Sequence, residues 1–300
     1  YDYIRQILVR AGLHKPKKKK KVHRRRRRMP KAGMLVQMDS SRHQWLEHIS
    51  EAWWLVAIID DASNEVPYAR FFPKDTLFAN MHVIRRSIEL KGLFMALYAD
   101  KASHFKTTRH GGIHYNVNPE HEETQIERAL NELDITLIPA NSPQAKGRIE
   151  RLFGFLQDRL IKEMRLAGIK NYTQANRFLI TKFLPWYNRK YTHKVESAYM
   201  PLPGGTNLDL IFCIKKERKV KADNTVRVDG QTIQIPPTDI RLSFARAWVE
   251  VCILPDRRLY ILYKGSIIAE SKLSKNKRKT KRERQIESLL NAREYAICRP

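Results

Sequence analysis

Apolar residues come in short runs and in helical spacing, and the two alternate in an order that predicts a layered domain. Residues 33–39 (GMLVQMD) are a short apolar run ending in a carboxylate. Residues 52–59 (AWWLVAII) are a continuous apolar run with Asp60 and Asp61 directly behind it, the pattern of a buried strand. A third strand is predicted over 66–72, entered through Pro67, and a fourth over 93–98, closing on Asp100. Between them, residues 76–90 repeat Leu77, Met81, Ile84 and Ile88 at helical spacing. A second helix over 124–133, a fifth strand over 135–139 and a long third helix over 146–166 follow. The order is β-β-β-α-β-α-β-α. Three early strands suggest an antiparallel meander, and the later alternation suggests parallel pairing. The fold class expected is α/β, a mixed sheet with helices on its faces.

Past this core, residues 172–191 read as one further helix, with Ala175, Phe178, Leu179, Phe183 and Trp186 apolar. PLPGG at 201–205 marks a boundary. Five short β-like runs follow, at 225–228, 231–235, 247–254, 258–263 and 266–270. Asp229-Gly230 and Lys264-Gly265 are hairpin turns, and Asp256-Arg257 falls at a third turn. Five strands in so short a stretch predict a small C-terminal β-barrel. At the other end, Tyr3, Ile4, Ile7, Leu8 and Leu13 lie near one helical face, with Gly12 as a stop. One short helix cannot fold alone, so residues 1–13 read as the remnant of a helical domain, a helix-turn-helix being one possibility. The chain starts with Tyr1 rather than Met, as a fragment would. The division expected is 1–13 remnant, 14–31 basic linker, 32–168 core, 169–205 helical extension, 206–273 barrel and 274–300 basic tail.

Charge changes the picture. The chain carries 57 Lys and Arg against 31 Asp and Glu, a formal net charge of +26. That excess points to a polyanionic partner, most often nucleic acid. Residues 1–31 hold 14 basic and 1 acidic residue, and residues 272–300 hold 10 and 3, so most of the excess is terminal. Lys17, Lys18, Lys19, Lys20, Lys21, Arg24, Arg25, Arg26, Arg27 and Arg28 form a block that repels itself. It reads either as a solvated linker or as a strap along a phosphate backbone, whose affinity must fall with salt. A further 17 basic residues lie between 146 and 221, either a DNA-facing side or a solvated helical surface. Cys213, Cys252 and Cys298 make no CxxC pair, so a disulfide scaffold or a cysteine zinc finger is not expected. The eight-residue run at 52–59 is too short for a membrane span. No nucleotide cofactor is expected, because no GxxxxGK[ST] loop occurs.

The candidate chemistry is carried by carboxylates. Asp39 ends the first strand, Asp100 follows the fourth, and Glu150 sits in the first turns of the third helix. Ligand sites in such sheets gather at strand ends, so these three can converge. Phosphoryl transfer needs an activated oxygen nucleophile and a stabilised leaving oxygen, which two divalent ions can serve together. Hard cations such as Mg²⁺ take oxygen ligands. With this many acidic residues in the middle of the chain, three at element ends also arise by chance. Asp60 and Asp61 compete for the role, and the Ala62-Ser63-Asn64 turn favours turn capping by Asp61.

Four segments say more than spacing does: MLVQMDSS at 34–41, VAIIDDAS at 56–63, LYADKASHF at 97–105 and NSPQAKGRIER at 141–151. In this order they resemble the catalytic core of DDE transposases and retroviral-type integrases, with bacterial insertion-sequence transposases of the ISNCY type the nearest likeness. The likeness covers about residues 34–200 well and the rest to about 273 more loosely. It implies a ribonuclease H-like fold and Asp39, Asp100 and Glu150 as the metal-binding catalytic triad, with Mg²⁺ or Mn²⁺, two ions per site. It implies that Lys146 contacts DNA near the site, with Gln144, Arg148 and Arg151 as weaker candidates. Trp186-Tyr187-Asn188 resembles the family's helix after the core, which packs or touches DNA. It also implies transposon ends and target DNA as partners, a homo-oligomer, and a bacterial cytoplasmic, nucleoid-associated setting. Asp100 and Glu150 are separated by 49 residues, more than the family's usual spacing. The extra length falls within 106–123 and reads as a surface loop. His104, His110, His114 and His121 in that region suggest zinc or, with no cysteine beside them, a polar loop near DNA.

Three functions follow. The first is a DDE transposase, hydrolysing DNA to free a 3′-hydroxyl and joining it to target DNA. The second is a non-catalytic DNA-binding protein or inactivated relic, for which the basic termini suffice. The third is a metal-dependent nuclease on the same fold, which cuts and does not join.

Overall fold

A computed structural model describes residues 2–13, 27–100, 123–140 and 146–274. The chain opens with helix α1 (Asp2–Arg10), whose Tyr3, Ile4, Ile7 and Leu8 are exposed. The core follows as β1 (Val36–His43), β2 (Trp53–Asp60), β3 (Tyr68–Phe72), α2 (Leu77–Lys91), β4 (Ala96–Ala99), α3 (Gln125–Asn131), β5 (Thr136–Pro139) and α4 (Gly147–Leu166). This is the order read from the sequence. The five strands form one sheet in the order β3-β2-β1-β4-β5. β1, β2 and β3 pair antiparallel, and β4 and β5 add parallel beside β1. The mixed α/β sheet fits the ribonuclease H-like class that the motifs imply.

Alternation along the strands makes two cores. Val36, Met38, Val56, Ile58 and Tyr68 face one side, where Met81, Val83, Ile84 and Ile88 of α2 and Ile126, Ala129 and Leu130 of α3 cover them. Leu55, Ala57, Ile59, Ala69 and Phe71 face the other, beneath Ile149, Leu152, Leu156 and Leu160 of α4. Both helices on the first face start on side-chain caps. Thr76 accepts from Ala79 N, and Thr124 and Glu127 make a reciprocal capping box.

β1 departs from a simple apolar pattern on the α4 side. Its odd positions there are Gln37, Asp39 and Ser41, and each meets α4 or its first turn. The Ile149 N–H donates to Gln37 Oε1 at 3.3 Å, Lys146 Nζ lies 2.9 Å from Asp39 Oδ2, and Gln157 Nε2 donates to Ser41 Oγ at 3.1 Å.

The single helix read over 172–191 has three parts: α5 (Tyr172–Phe178), a π-helical turn (Leu179–Phe183) and α6 (Leu184–Tyr191). They cover edge strand β3 and the segment leading into it through two asparagines. Phe71 N–H donates to Asn176 Oδ1 and Asn176 Nδ2 donates to Phe71 O, at 2.8 and 3.1 Å. Asn188 repeats the pattern on Val66, at 2.9 Å each way. At about 100° per residue, twelve α-helical steps would leave the two side chains about 120° apart. The extra residue of a π-turn takes one step back, to about 20°, and both amides reach the same strand edge.

The chain then runs through α7 (Leu208–Ile211) into β6 (Ile214–Lys219), β7 (Thr225–Val228), β8 (Gln231–Gln234), β9 (Trp248–Ile253), β10 (Arg258–Tyr263) and β11 (Ser266–Lys272). The expected barrel is not confirmed. The strands form a four-stranded sheet, β11-β10-β9-β6, and a separate β7-β8 ribbon around one apolar core, and among the described residues no ladder closes them. β6 is absent from the sequence reading because IKKERK carries no alternation; it is half-exposed and, among the described residues, pairs only with β9. The turns Asp229-Gly230 and Lys264-Gly265 have positive φ at both residues, the hairpin geometry their sequences call for.

Candidate active site

Asp39 and Asp100 come together because their strands are parallel neighbours. Gln37 pairs with Tyr98, and two residues further along each strand stand the two aspartates. Lys146 joins them at the N-cap position of α4. Its side chain is 8% exposed, with Nζ 2.9 Å from Asp39 Oδ2 and 3.8 Å from Asp100 Oδ2. Asp39 Oδ1 accepts from the Ser40 N–H at 2.9 Å. Burial raises the Asp39 carboxyl above its ordinary range, against the opposing pull of the Lys146 ammonium. Glu150 is exposed in the first turn of α4, one helical turn beyond Lys146 and so on the same flank.

A second set of residues holds the middle of β1 beside Asp39, and the sequence reading missed it. Ser40 Oγ donates to Asp75 Oδ2 at 2.7 Å, and Asn80 Nδ2 donates to Asp75 Oδ1 at 2.6 Å. Ser41 bonds Gln157 as described above. The only signal available was the Ser40-Ser41 pair directly after Asp39.

The remaining candidates are not gathered here. Arg148 is buried and paired with Asp61. Arg151 is exposed, its Nε donating to Gly147 O at 2.7 Å. Arg28 Nη1 donates to Asp61 O and Ala62 O, both at 3.2 Å, and Arg27 is exposed. Gln144, Lys17 to Lys21, Arg24 to Arg26 and the four histidines at 104–121 lie outside the described residues. Trp186 and Tyr187 pack in an aromatic cluster with Phe155, Phe183 and Tyr191. The capping role assigned to Asp61 belongs instead to Asp60. Asp60 Oδ1 accepts from Ala62 N, Ser63 N and Ser63 Oγ, and its Oδ2 accepts from Gly33 N at 2.7 Å and Tyr199 Oη at 3.2 Å. Gly33 is required there, since its φ is +85° and a Cβ would meet Tyr199 N at 2.8 Å.

Oxygen donors from Asp39, Asp100 and Glu150 have the chemistry of a Mg²⁺ or Mn²⁺ site. Asp39 and Asp100 already share one cation, the Lys146 ammonium, which shows that the pair accepts positive charge. Among the described residues no three His, Cys, Asp or Glu side chains are grouped closely enough to hold a metal.

A mixed α/β sheet carries two aspartates just past its parallel β1–β4 pairing, Asp39 midway along β1 and Asp100 after β4, and comparison with known proteins narrows the class. A protein of Sinorhizobium fredii named as a transposase, y4bF, is 32% identical over 284 residues, which cover 93% of this chain and 61% of that protein. The transposase for insertion sequence IS1202 of Streptococcus pneumoniae is 32% identical over 201 residues, covering 67% of this chain and 42% of that protein. The chain thus spans less than two thirds of the length of these curated relatives. No family model matches it. Among solved structures, a chain of the simian T-cell lymphotropic virus intasome in complex with PP2A regulatory subunit B56 gamma aligns with TM-score 0.45 and 12% identity over 88% of each chain. The HTLV-2 integrase catalytic core in complex with magnesium aligns with TM-score 0.39 and 14% identity over 54% of this chain and 98% of that one. Together with the motifs, the transposase relatives support a DDE transposase/integrase core in this chain.

Proposed function

We propose that this chain carries out the DNA cutting and joining of a DDE-type transposase, with Asp39, Asp100 and Glu150 as its metal-binding catalytic residues. The observation that carries the reading is the pair of aspartates just past the parallel β1–β4 pairing, Asp39 midway along β1 and Asp100 directly after β4, facing Lys146 one turn ahead of Glu150. These carboxylates would hold divalent cations, which when bound would supply positive charge at the scissile phosphate and its attacking and leaving oxygens. Asp39, fixed through Oδ1 by the Ser40 N–H, presents Oδ2 inward. Asp100 shares the site from β4, and Glu150 completes it from α4. Lys146 keeps the two aspartates together against their mutual repulsion and offers its ammonium to a DNA phosphate. Water attacks the phosphodiester at the element's end, and the P–O3′ bond breaks to leave a 3′-hydroxyl. That hydroxyl then attacks a target phosphate and expels the target's own 3′-oxygen. No side chain becomes covalently attached to DNA, in contrast to nucleophilic recombinases. The partners are DNA at the element ends and the target, and two ends brought together call for a homo-oligomer. Among the described residues no helix is long and apolar enough to cross a membrane.

The test is nicking and strand joining of plasmid DNA in Mn²⁺ by wild type and by Asp100→Asn, Asp39→Asn and Glu150→Gln. Losing several kcal/mol of transition-state stabilisation lowers the rate by at least about a hundredfold, while salt-sensitive DNA binding persists. Cutting without joining would select the nuclease reading. Equal DNA binding with no dependence on Asp100 would select the non-catalytic one.

A further inference from the structure

Three polar side chains lie deep in the protein beside the carboxylate site and are used by none of the steps above. Gln37 and Asp61 are fully buried and Arg148 is 9% exposed. Arg148 Nη1 and Gln37 Nε2 both donate to Asp61 Oδ1, the latter at 2.9 Å. Gln37 Oε1 accepts from the Ile149 N–H at 3.3 Å. Asp61 Oδ2 accepts from the Met29 N–H at 2.9 Å. One carboxylate therefore ties together the chain entering the core, strand β1 and the first turn of α4.

The placement is specific to the site. Gln37 stands two residues before Asp39, on the same face of β1. Arg148 and Ile149 lie between Lys146 and Glu150. A helix start leaves its first N–H groups without intrahelical partners. Lys146, at the N-cap, makes no side-chain cap bond to α4. The capping acceptor is Gln37, from the strand that carries Asp39. A buried ion pair is a weak source of stability, because desolvation offsets its attraction, but it tolerates few geometries.

We propose that Gln37, Asp61 and Arg148 are positioning residues that fix the start of α4 against β1, and so set Glu150 and Lys146 relative to Asp39. This rests on the proposed catalytic role of Glu150. It also gives Arg148 a task other than DNA contact.

The test uses the whole chain and reads Mn²⁺ affinity by titration calorimetry, DNA binding against salt, and nicking kinetics. Asp61→Leu with Arg148→Met removes the pair together, leaving no lone buried charge. This variant is expected to melt cooperatively and keep the wild-type salt slope on DNA. Its Mn²⁺ affinity falls by about tenfold or more, as for partners supporting metal ligands, and kcat falls at unchanged KM. Arg148→Lys restores part of the affinity. If the double variant does not melt cooperatively, Gln37→Leu, which removes only the cap on Ile149, is read the same way. Wild-type Mn²⁺ affinity and kcat in a cooperatively folded double variant, or in Gln37→Leu in its place, overturn the positioning role. So does Arg148→Met with intact Mn²⁺ binding and a salt slope reduced by about one, which marks a phosphate contact. If Glu150→Gln keeps wild-type nicking, the catalytic reading itself fails and takes this inference with it. If Glu150→Gln is inactive and the double variant is unaffected, only the positioning role fails.

Discussion

His82 shows how a single residue reads its surroundings. Its Nε2 lies 3.2 Å from Arg70 Nη1 and 3.3 Å from Tyr68 Oη. Burial, then the charges of Arg70, Arg86 and Arg85, push its pKa down to about 4. The folded state therefore holds this ring neutral where an unfolded chain would protonate it. Its contribution to stability is complete above about pH 6.5 and is lost as pH falls from there toward about 4. Discounted for partial exposure, it amounts to about 1–2 kcal/mol. His82→Gln should flatten the acid limb of a thermal-melt profile between those pH values; an unchanged profile would show that His82 does not carry it. None of this was legible in the sequence, since Arg70 and His82 meet only when β3 packs on α2. The exchange of roles between Asp60 and Asp61 has the same cause. β2 ends at Asp60 and the turn begins at Asp61, and only the packed sheet decides that the strand's last carboxylate meets the turn while the next one meets Gln37 and Arg148.

At the scale of elements, the π-turn at Leu179–Phe183 is the feature that periodicity could not show. One added residue leaves the apolar spacing of 172–191 readable as a helix while rotating its second half. Its consequence is the matched seating of Asn176 on Phe71 of β3 and of Asn188 on Val66 in the segment leading into it, along the open edge of the sheet. Asn188→Ala should cost about 1–3 kcal/mol, because it strips partners from both Val66 backbone groups. Deleting exposed Thr181 should return the helix to α register, swing Asn188 away by about 100° and cost a similar amount. Chemical denaturation of the two variants checks this: a deletion that leaves stability unchanged would remove the role given to the π-turn. Most core strands and helices were legible to within a residue or two, because buried β2 and the heptad-like spacing of α2 leave strong signals; β1 was not, since it starts three residues later than the apolar run and continues through polar Ser40 to His43, so that Asp39 lies midway along it rather than at its end. β6 was not, because an edge strand of lysine, arginine and glutamate can pair through its backbone alone.

Across the whole molecule, charge and folding are largely separate. The +26 net charge sits mostly at the two ends of the chain, while the middle builds the sheets. The C-terminal sheet is fastened to the core through α3. Arg128 Nη2 donates to Ile211 O and Cys213 O at 3.0 and 2.6 Å, and the Gln125 side chain bonds both backbone groups of Lys215. Lys215 Nζ lies 2.9 Å from Glu132. DNA affinity should fall steeply with salt. Replacing Lys17 to Lys21 with glutamine should lower the slope of log K against log salt by up to about 4.5, and by less if some of them stay solvated. Filter binding over a salt series checks this, and an unchanged slope would make the segment a linker. Asp39→Asn should leave the same slope intact, since it removes no phosphate contact.

The sequence by itself determined the layered α/β core, the order of its elements, the hairpin turns and the identity of the candidate carboxylates. These are local matters: side-chain periodicity sets which face is buried, and glycine after aspartate or lysine permits the turn. The tertiary structure alone decided that Lys146 reaches both aspartates, that Arg148 turns inward to Asp61, and that Gln37 caps the helix carrying Glu150. It also decided that the C-terminal strands pair as a four-stranded sheet and a separate ribbon, with no closing ladder among the described residues. Each of these depends on contacts between residues far apart in the chain, whose energies arise only after burial removes water from around the charges and amides involved.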